Sequence, residues 1–313
     1  MDCNFGLFGP QVVTGLILGF LYALIALGYT MVYGVLKLIN FAHDVIFATG
    51  GIAVFYAFGM WFGITEPVSG VELLLVVGLS LLIGGIASSL SAAVLERLAY
   101  RPLRRRNAAR LAYLITAIGA SFFMTYMYQQ NFLLGPGRRP FPNYMSRQSA
   151  IFEDLLGTRV TDIMFLLVVT SIVCLIVLDR IINQTRTGRS IRALSEDITA
   201  AQLMGVNVDR VIVTTFVIGG FFAGIAGVLY GLRTGSVEFN MGFFPGLKAF
   251  TAAVLGGIGN IRGAMLGAVM LGLIESVSSV CIGSEWRNVV AFSVLVLVLV
   301  FRPTGLLGER MGG

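Results

Sequence analysis

Four stretches of this 313-residue chain carry residues that could do chemistry. The first is Asn40 with His43 and Asp44, at the start of an apolar run. An ionisable group at a membrane-length apolar run is a functional hypothesis by default. His43 and Asp44 are expected at the basic, cytoplasmic end of that run, where they either cap a helix at the interface or line or gate a path. A proton relay would need further titratable groups in the apolar runs. The second is Glu275, the deepest charge in the sequence. It lies about 18 Å along a helix that starts near Gly263, at 1.5 Å per residue. A charge at that depth needs protein or water around it and a partner such as Arg233, Lys248 or Arg287. It then serves as a structural ion pair or as part of a pathway. The third is Gly256-Gly257-x-Gly259 followed by Asn260. Flexible backbone inside a membrane is tolerated where it lines a cavity or is buried in protein, so this reads as a broken helix near a translocation path. The fourth is the polar segment 183–210, NQTRTGRSIRALSEDITAAQLMGVNVDR.

Other chemistry is excluded by what the chain lacks. It has one His and no HExxH, so most metalloenzyme readings fail. Cys3, Cys174 and Cys281 are far apart with no CxxC, and give no metal or disulfide framework. An intramembrane enzyme would need a paired catalytic set, and there is no GxSxG and no pair of intramembrane Asp. A GxxxxGK[ST] phosphate loop is missing too, so any ATP work must come from a partner.

The elements that position these residues are membrane helices. Hydrophobic residues make up 57% of the chain and charged ones 12%, against about 25% charged in soluble domains. A cytosolic enzyme, a secreted disulfide scaffold and a disordered chain are thereby excluded. With about 20 apolar residues needed per crossing, the spans read as 11–36, 41–63, 73–95, 111–134, 163–178, 211–232, 249–261, 263–282 and 288–301. Residues 3–36 hold no charge and are too long for a cleaved signal, so they are expected to remain a span. The run 249–261 is short and is the candidate re-entrant or broken helix. The expected fold is all-α: one polytopic membrane domain, 1–313, of eight to nine spans. Glycines at GxxxG spacing, such as Gly15/Gly19, Gly220/Gly224, Gly227/Gly231 and Gly263/Gly267, predict tight helix packing.

Arginine placement orients the chain. Arg97, Arg101, Arg104, Arg105, Arg106 and Arg110 crowd one short loop, and Arg180, Arg186, Arg189, Arg192 and Arg210 another. Both are expected in the cytoplasm. The loop 64–70, with Glu66 and no Lys or Arg, is expected outside. The N-terminus is then external. Arg302 and Arg310 are cytoplasmic if 249–261 crosses fully. The segment 135–162 becomes an external loop, irregular by its Pro136, Gly137, Pro140 and Pro142.

Within 183–210, Ser195 reads as a helix N-cap with Glu196 and Asp197 in the first turn, opposing the positive helix end. Ala200, Ala201, Gln202, Leu203 and Met204 continue the helix and Gly205 ends it. Ile198, Ala201 and Met204 recur every third residue, so an apolar face is offered to the cytosol. A helix lying on a membrane surface favours a basic polar face. This one begins with two acids, which suits a cytosolic partner better.

Asp197-x-x-Ala200-Ala201-x-x-x-Gly205 followed by Val208-Asp209-Arg210 resembles the coupling loop of ABC-importer permeases. The stretches ALIALGYTMVYG (23–34), INFAH (39–43), Arg101-Pro102-Leu103, LITAIG (114–119), VLGGIG (254–259) and FRPTGLLG (301–308) resemble the branched-chain amino acid permease family, LivH type, in the family's order. The chain departs at Thr199, where the family's loop usually has Glu, and at Asp44, where Gly usually follows His. The resemblance implies one permease of an ATP-driven importer for Leu, Ile and Val in a prokaryotic inner membrane. Its partners would be a second permease, two cytosolic ATPase subunits and an external binding protein, with no nucleic acid. ATP and Mg would bind the ATPase subunits and no cofactor this chain. Ser195, Glu196, Asp197, Ala200, Ala201 and Gly205 would couple to the ATPase. Asn40, His43, Gly256, Gly257 and Asn260 would line the path. A urea or amide permease of the same class, or a standalone secondary carrier, are the alternatives.

Overall fold

The computed structural model of the chain describes residues 5–64, 66–146, 149–302 and 304–308. Cys3, Pro303 and Arg310 lie outside these. After a short 3-10 turn at Phe5–Leu7, helix α1 (Phe8–Leu36) runs to a left-handed cap at Lys37. Helix α2 (His43–Val54) continues as a π-helical stretch, Phe55–Trp61. Helix α3 (Gly70–Leu95), the π-helical Glu96–Tyr100 and α4 (Arg101–Arg105) form one rod of 36 residues. Then come α5 (Arg110–Tyr128), strands β1 (Arg139–Pro140), β2 (Ala150–Leu155) and β3 (Thr158–Thr161), and α6 (Asp162–Gln184). The polar segment forms α7 (Arg186–Glu196) and α8 (Ile198–Leu203). Helix α9 (Val208–Thr234), strand β4 (Ser236–Val237), α10 (Phe243–Gly256), α11 (Ile261–Ile282) and α12 (Arg287–Phe301) complete the chain.

Eight helices among the described residues are long and apolar enough to cross a membrane, so the chain is an all-α polytopic membrane protein. The ninth passage is α10, whose 14 residues reach about 21 Å. Its bounds differ from the expected 249–261. Lys248 marked a boundary when only charge was counted, but Glu275 pairs with it and lets it lie inside the helix. Its far end is Gly257, at φ +107 against Leu307 and Gly308, where a side chain would be strained and would clash.

Helices α1 and α9 form the centre, with 72% of the residues in the apolar 18-residue stretch of each buried, whereas in α5 and in the span that ends with α12 the share is 11% and 6%, which sets them at the periphery. Their apolar outer faces are what lipid requires of a bundle exterior. Small residues set the crossings. A Cβ on Gly15 would sit 2.9 Å from the Gly272 carbonyl oxygen, and one on Gly19 would sit 2.6 Å from the Val269 Cα. Thus α1 and α11 pack backbone to backbone. Gly224 of α9 lies against Gly50 of α2 and Gly84 of α3 in the same way.

Two features depart from expectation at the ends of α2 and α5. His43 begins the second span as expected, but it is buried inside the bundle rather than set at an exposed interface. It stacks on Tyr29 at 4.6 Å between ring centroids and fills the space over Gly28 of α1, about 12 Å short of Leu36. Residues 37–42 therefore turn back into the bundle without helix. Asn40 makes this tolerable: its Oδ1 accepts from Ala42 N and from the Tyr100 hydroxyl. The segment 135–162 is also more ordered than its prolines suggested. Its β1 pairs antiparallel with β4, and β2 with β3. Tyr144 is buried and donates to Ser80 Oγ, and burial pushes its phenol pKa up. Cys174 is a buried free thiol. Cys281 is disulfide-bonded, a cross-link that spacing alone did not announce.

Candidate functional site

The polar segment stands at the end of the bundle where α3–α4, α6 and α9 meet. Thr185 caps α7 by accepting from Gly188 N, and Ile191 and Leu194 bury the inner face of α7. Ser195 lies inside α7, its hydroxyl bonded to the Arg192 carbonyl, and does not cap the next helix. The cap is Asp197. Its backbone is extended, and its Oδ1 accepts from Thr199 N at 2.7 Å and Ala200 N at 3.0 Å. Asp outcompetes Ser here because the helix breaks at the residue that owns the extended conformation. Glu196 ends α7 and is exposed. Gly205, at φ +82, closes α8.

Helix α8 turns Ala201 inward and leaves Ile198 45%, Leu203 84% and Met204 84% exposed. Two large apolar side chains at 84% exposure on a polar end invite a cover. The end is braced by ion pairs that sequence reading missed. Arg104 Nη2 bonds Glu96 Oε1 at 2.9 Å and Asp209 Oδ1 at 2.6 Å. Arg101 and Arg105 also approach Asp209. The two arginine-rich loops are thus one structure, and α8 is strung between α7 and the braced start of α9.

A cavity of about 370 Å³ opens between α1, α2, α5 and the approach to α10. That volume is in the range of small-molecule sites. Six of the sixteen residues in its wall are aromatic, and Phe122 and Tyr126 at its rim are 54% and 59% exposed. Among the described residues, Asp44 is the one Asp, Glu, His, Lys or Arg in the wall. Its side chain is reached by Ser121 Oγ, at 2.9 Å from Oδ1 and 3.1 Å from Oδ2, and by Val45 N. The N-terminal ends of α2 and α10 both abut it, since Gly242 packs on the Asp44 carbonyl.

The five residues assigned to a path do not come together. His43 and Asn40 are buried behind this wall, 1% and 2% exposed. Gly256, Gly257 and Asn260 sit at the other end of α10. There Asn260 caps α11 by accepting from Gly263 N and donates to the Leu307 carbonyl. Glu275 does have a predicted partner: Lys248 Nζ donates to Oε1 at 2.5 Å, and the Tyr22 hydroxyl donates to Oε2 at 3.0 Å. Among the described residues no group of His, Cys, Asp and Glu could hold a metal ion.

Comparison with known proteins gives a consistent pattern. Residues 11–299 match the family described as branched-chain amino acid transport system / permease component. The chain is 40% identical over 316 residues to the high-affinity branched-chain amino acid transport system permease protein LivH of Escherichia coli strain K12, covering 99% of this chain and 98% of that one. It is 40% identical over 302 residues to BraD of Pseudomonas aeruginosa, a permease protein of the same description (96% and 95% covered). It is 25% identical over 307 residues to a probable LivH of Methanocaldococcus jannaschii (92% and 89% covered). No solved structure matches.

Proposed function

The chain belongs to the branched-chain amino acid permease family, and from that premise we propose that it forms half of the translocation path of an ATP-driven importer of Leu, Ile and Val. It would sit in a prokaryotic inner membrane beside a second permease, with two cytosolic ATPase subunits below and a binding protein outside. The chain itself is then non-catalytic, and ATP and Mg belong to the ATPase subunits.

One observation carries the coupling part of this reading. Helix α8 is capped by Asp197, closed by Gly205 and braced through Asp209, yet holds Leu203 and Met204 out at 84% exposure. A stiff lever with an apolar tip fits the groove of an ATPase subunit whose closure it must transmit. In this arrangement Glu196, Asp197 and Ala200 face the partner, while Ala201 and Ser195 position the helix. Asn40, His43, Gly256, Gly257 and Asn260 act on the path as joints rather than as its wall. Arginine placement orients the chain: the α4 and α7–α8 end is cytoplasmic, with the C-terminus, and the N-terminus is external. The disulfide at Cys281, at the opposite end of α11, agrees with an oxidising side there.

The test is a mild-detergent pull-down of the tagged chain from its native membrane, followed by reconstitution. Two ATPase subunits and a second permease should co-purify. Leucine uptake should require ATP and be competed by isoleucine and valine. Competition by urea or amides instead would move the substrate, and uptake that follows an ion gradient without ATP would sink the importer reading.

A further inference from the structure

Among the described residues, the cavity beside α5 carries a single charged side chain in its wall, that of Asp44. Asp44 is 9% exposed as a residue, and it takes part in none of the ion pairs found among the described residues. Ser121 and Val45 N supply the hydrogen bonds described above, and the nearby helix ends add partial positive charge. Neither supplies a full positive charge. The cavity that the carboxylate shares is also lined by the rings of Tyr29, Phe41, Phe122, Tyr126, Phe239 and Phe243. Aromatic faces attract cations, more strongly where water is excluded. A lone carboxylate in a partly aromatic wall is a recognition set for an ammonium group on an apolar stem. A structural cap for α2 explains the Val45 contact, but not why the carboxylate faces a cavity of about 370 Å³.

We propose that Asp44 and the aromatic side chains of this cavity form a subsite for the alkylammonium group of the transported solute. The proposal rests on the import reading for the identity of that solute. The ammonium comes either from the α-amino group of any amino acid or from the side chain of a basic one. Asp44 would thus set specificity within the path, since an apolar wall alone cannot select for charge.

The test reads the site without requiring transport. Thr125, one helical turn from Ser121 in the same wall, is replaced by Cys in the assembled complex in lipid nanodiscs. Its reaction rate is measured with aminoethyl and with sulfonatoethyl methanethiosulfonate. Relative to a free thiol, the cationic reagent should be favoured at least tenfold, and Asp44→Asn should lower that preference at least fivefold. Ser121→Ala keeps the carboxylate and should keep the preference. n-Butylammonium should slow labelling of the Asp44 chain only. Leucine and lysine protecting alike assign the α-ammonium, and lysine alone assigns a side-chain ammonium. An unchanged preference in Asp44→Asn, an equal loss in Ser121→Ala, or no protection by any of the three would each overturn the proposal. Leucine uptake by the parent complex is measured in parallel. Its absence would sink the import reading, while the labelling ratio would still report on the subsite.

Discussion

Lys248 of α10 and Glu275 of α11 meet in a buried ion pair, Nζ to Oε1 at 2.5 Å, with side chains 9% and 3% exposed. The Tyr22 hydroxyl of α1 takes the second carboxylate oxygen. Three helices are thereby pinned at one point deep in the bundle. Removing one partner leaves a buried charge, which costs about 3–5 kcal/mol in buried pairs. Lys248→Met or Glu275→Gln should each lower the thermal midpoint of the purified complex by several degrees. The double change Lys248→Met with Glu275→Leu should recover most of that loss. If the single changes leave stability intact and lower only uptake, the pair serves the path instead.

Much of this arrangement was legible in the sequence. The spans, the need of Glu275 for a partner and the close helix crossings follow from apolar run length, depth and glycine spacing. The failures share a cause. Charges that pair across elements look like boundaries when each is counted alone, so Lys248 was read as the end of a span. The return of residues 37–42 into the bundle was hidden for a similar reason: Tyr100, sixty residues away, satisfies Asn40. The cap at Asp197 was missed because Ser195 is a good cap by type, and only the backbone break decides between them.

The glycine crossings make opposite predictions at two sites. Gly272 of α11 lies against the Gly15 carbonyl and the Gly19 backbone, so Gly272→Val must push α1 away. Overpacking of this kind costs about 1–3 kcal/mol. Gly34 of α1 has nothing within 4 Å of a built Cβ, and Gly34→Ala should stay within about 0.5 kcal/mol of the parent. Thermal unfolding of both variants in the same detergent checks the contrast. Equal stability would mean that the crossing between α1 and α11 is looser than described.

Arg104 is the shared partner of Glu96 and Asp209, and the two carboxylates differ in burial. Glu96 has no exposed side chain, whereas Asp209 is 35% exposed. Arg104→Met leaves the buried Glu96 with only the longer contact to Arg101, 3.8 Å from its Oε2, and should lower the thermal midpoint clearly. Asp209→Asn loses a half-exposed pair, worth about 1 kcal/mol or less. Because Asp209 starts α9 just beyond α8, its loss should show in function instead. ATP hydrolysis stimulated by the loaded binding protein should fall severalfold while the complex stays assembled. Unchanged stimulation would remove Asp209 from the coupling route.

The tip of α8 separates cap from contact. Asp197→Ala removes an N-cap and should cost about 1 kcal/mol, local to α8, whereas Ser195→Ala in α7 should cost little. Leu203→Asp with Met204→Asp alters two side chains that are each 84% exposed, so the chain should fold and insert as before. Placed against an apolar groove, two charges would each lose hydration without a partner. The doubly changed chain should therefore be recovered with its partner permease but without ATPase subunits in a pull-down. Asp197→Ala should retain the subunits with weaker stimulation of hydrolysis. Full recovery of ATPase subunits by the Leu203/Met204 variant would mean that the groove lies elsewhere, with the exposed arginines of α7 as the next surface to probe.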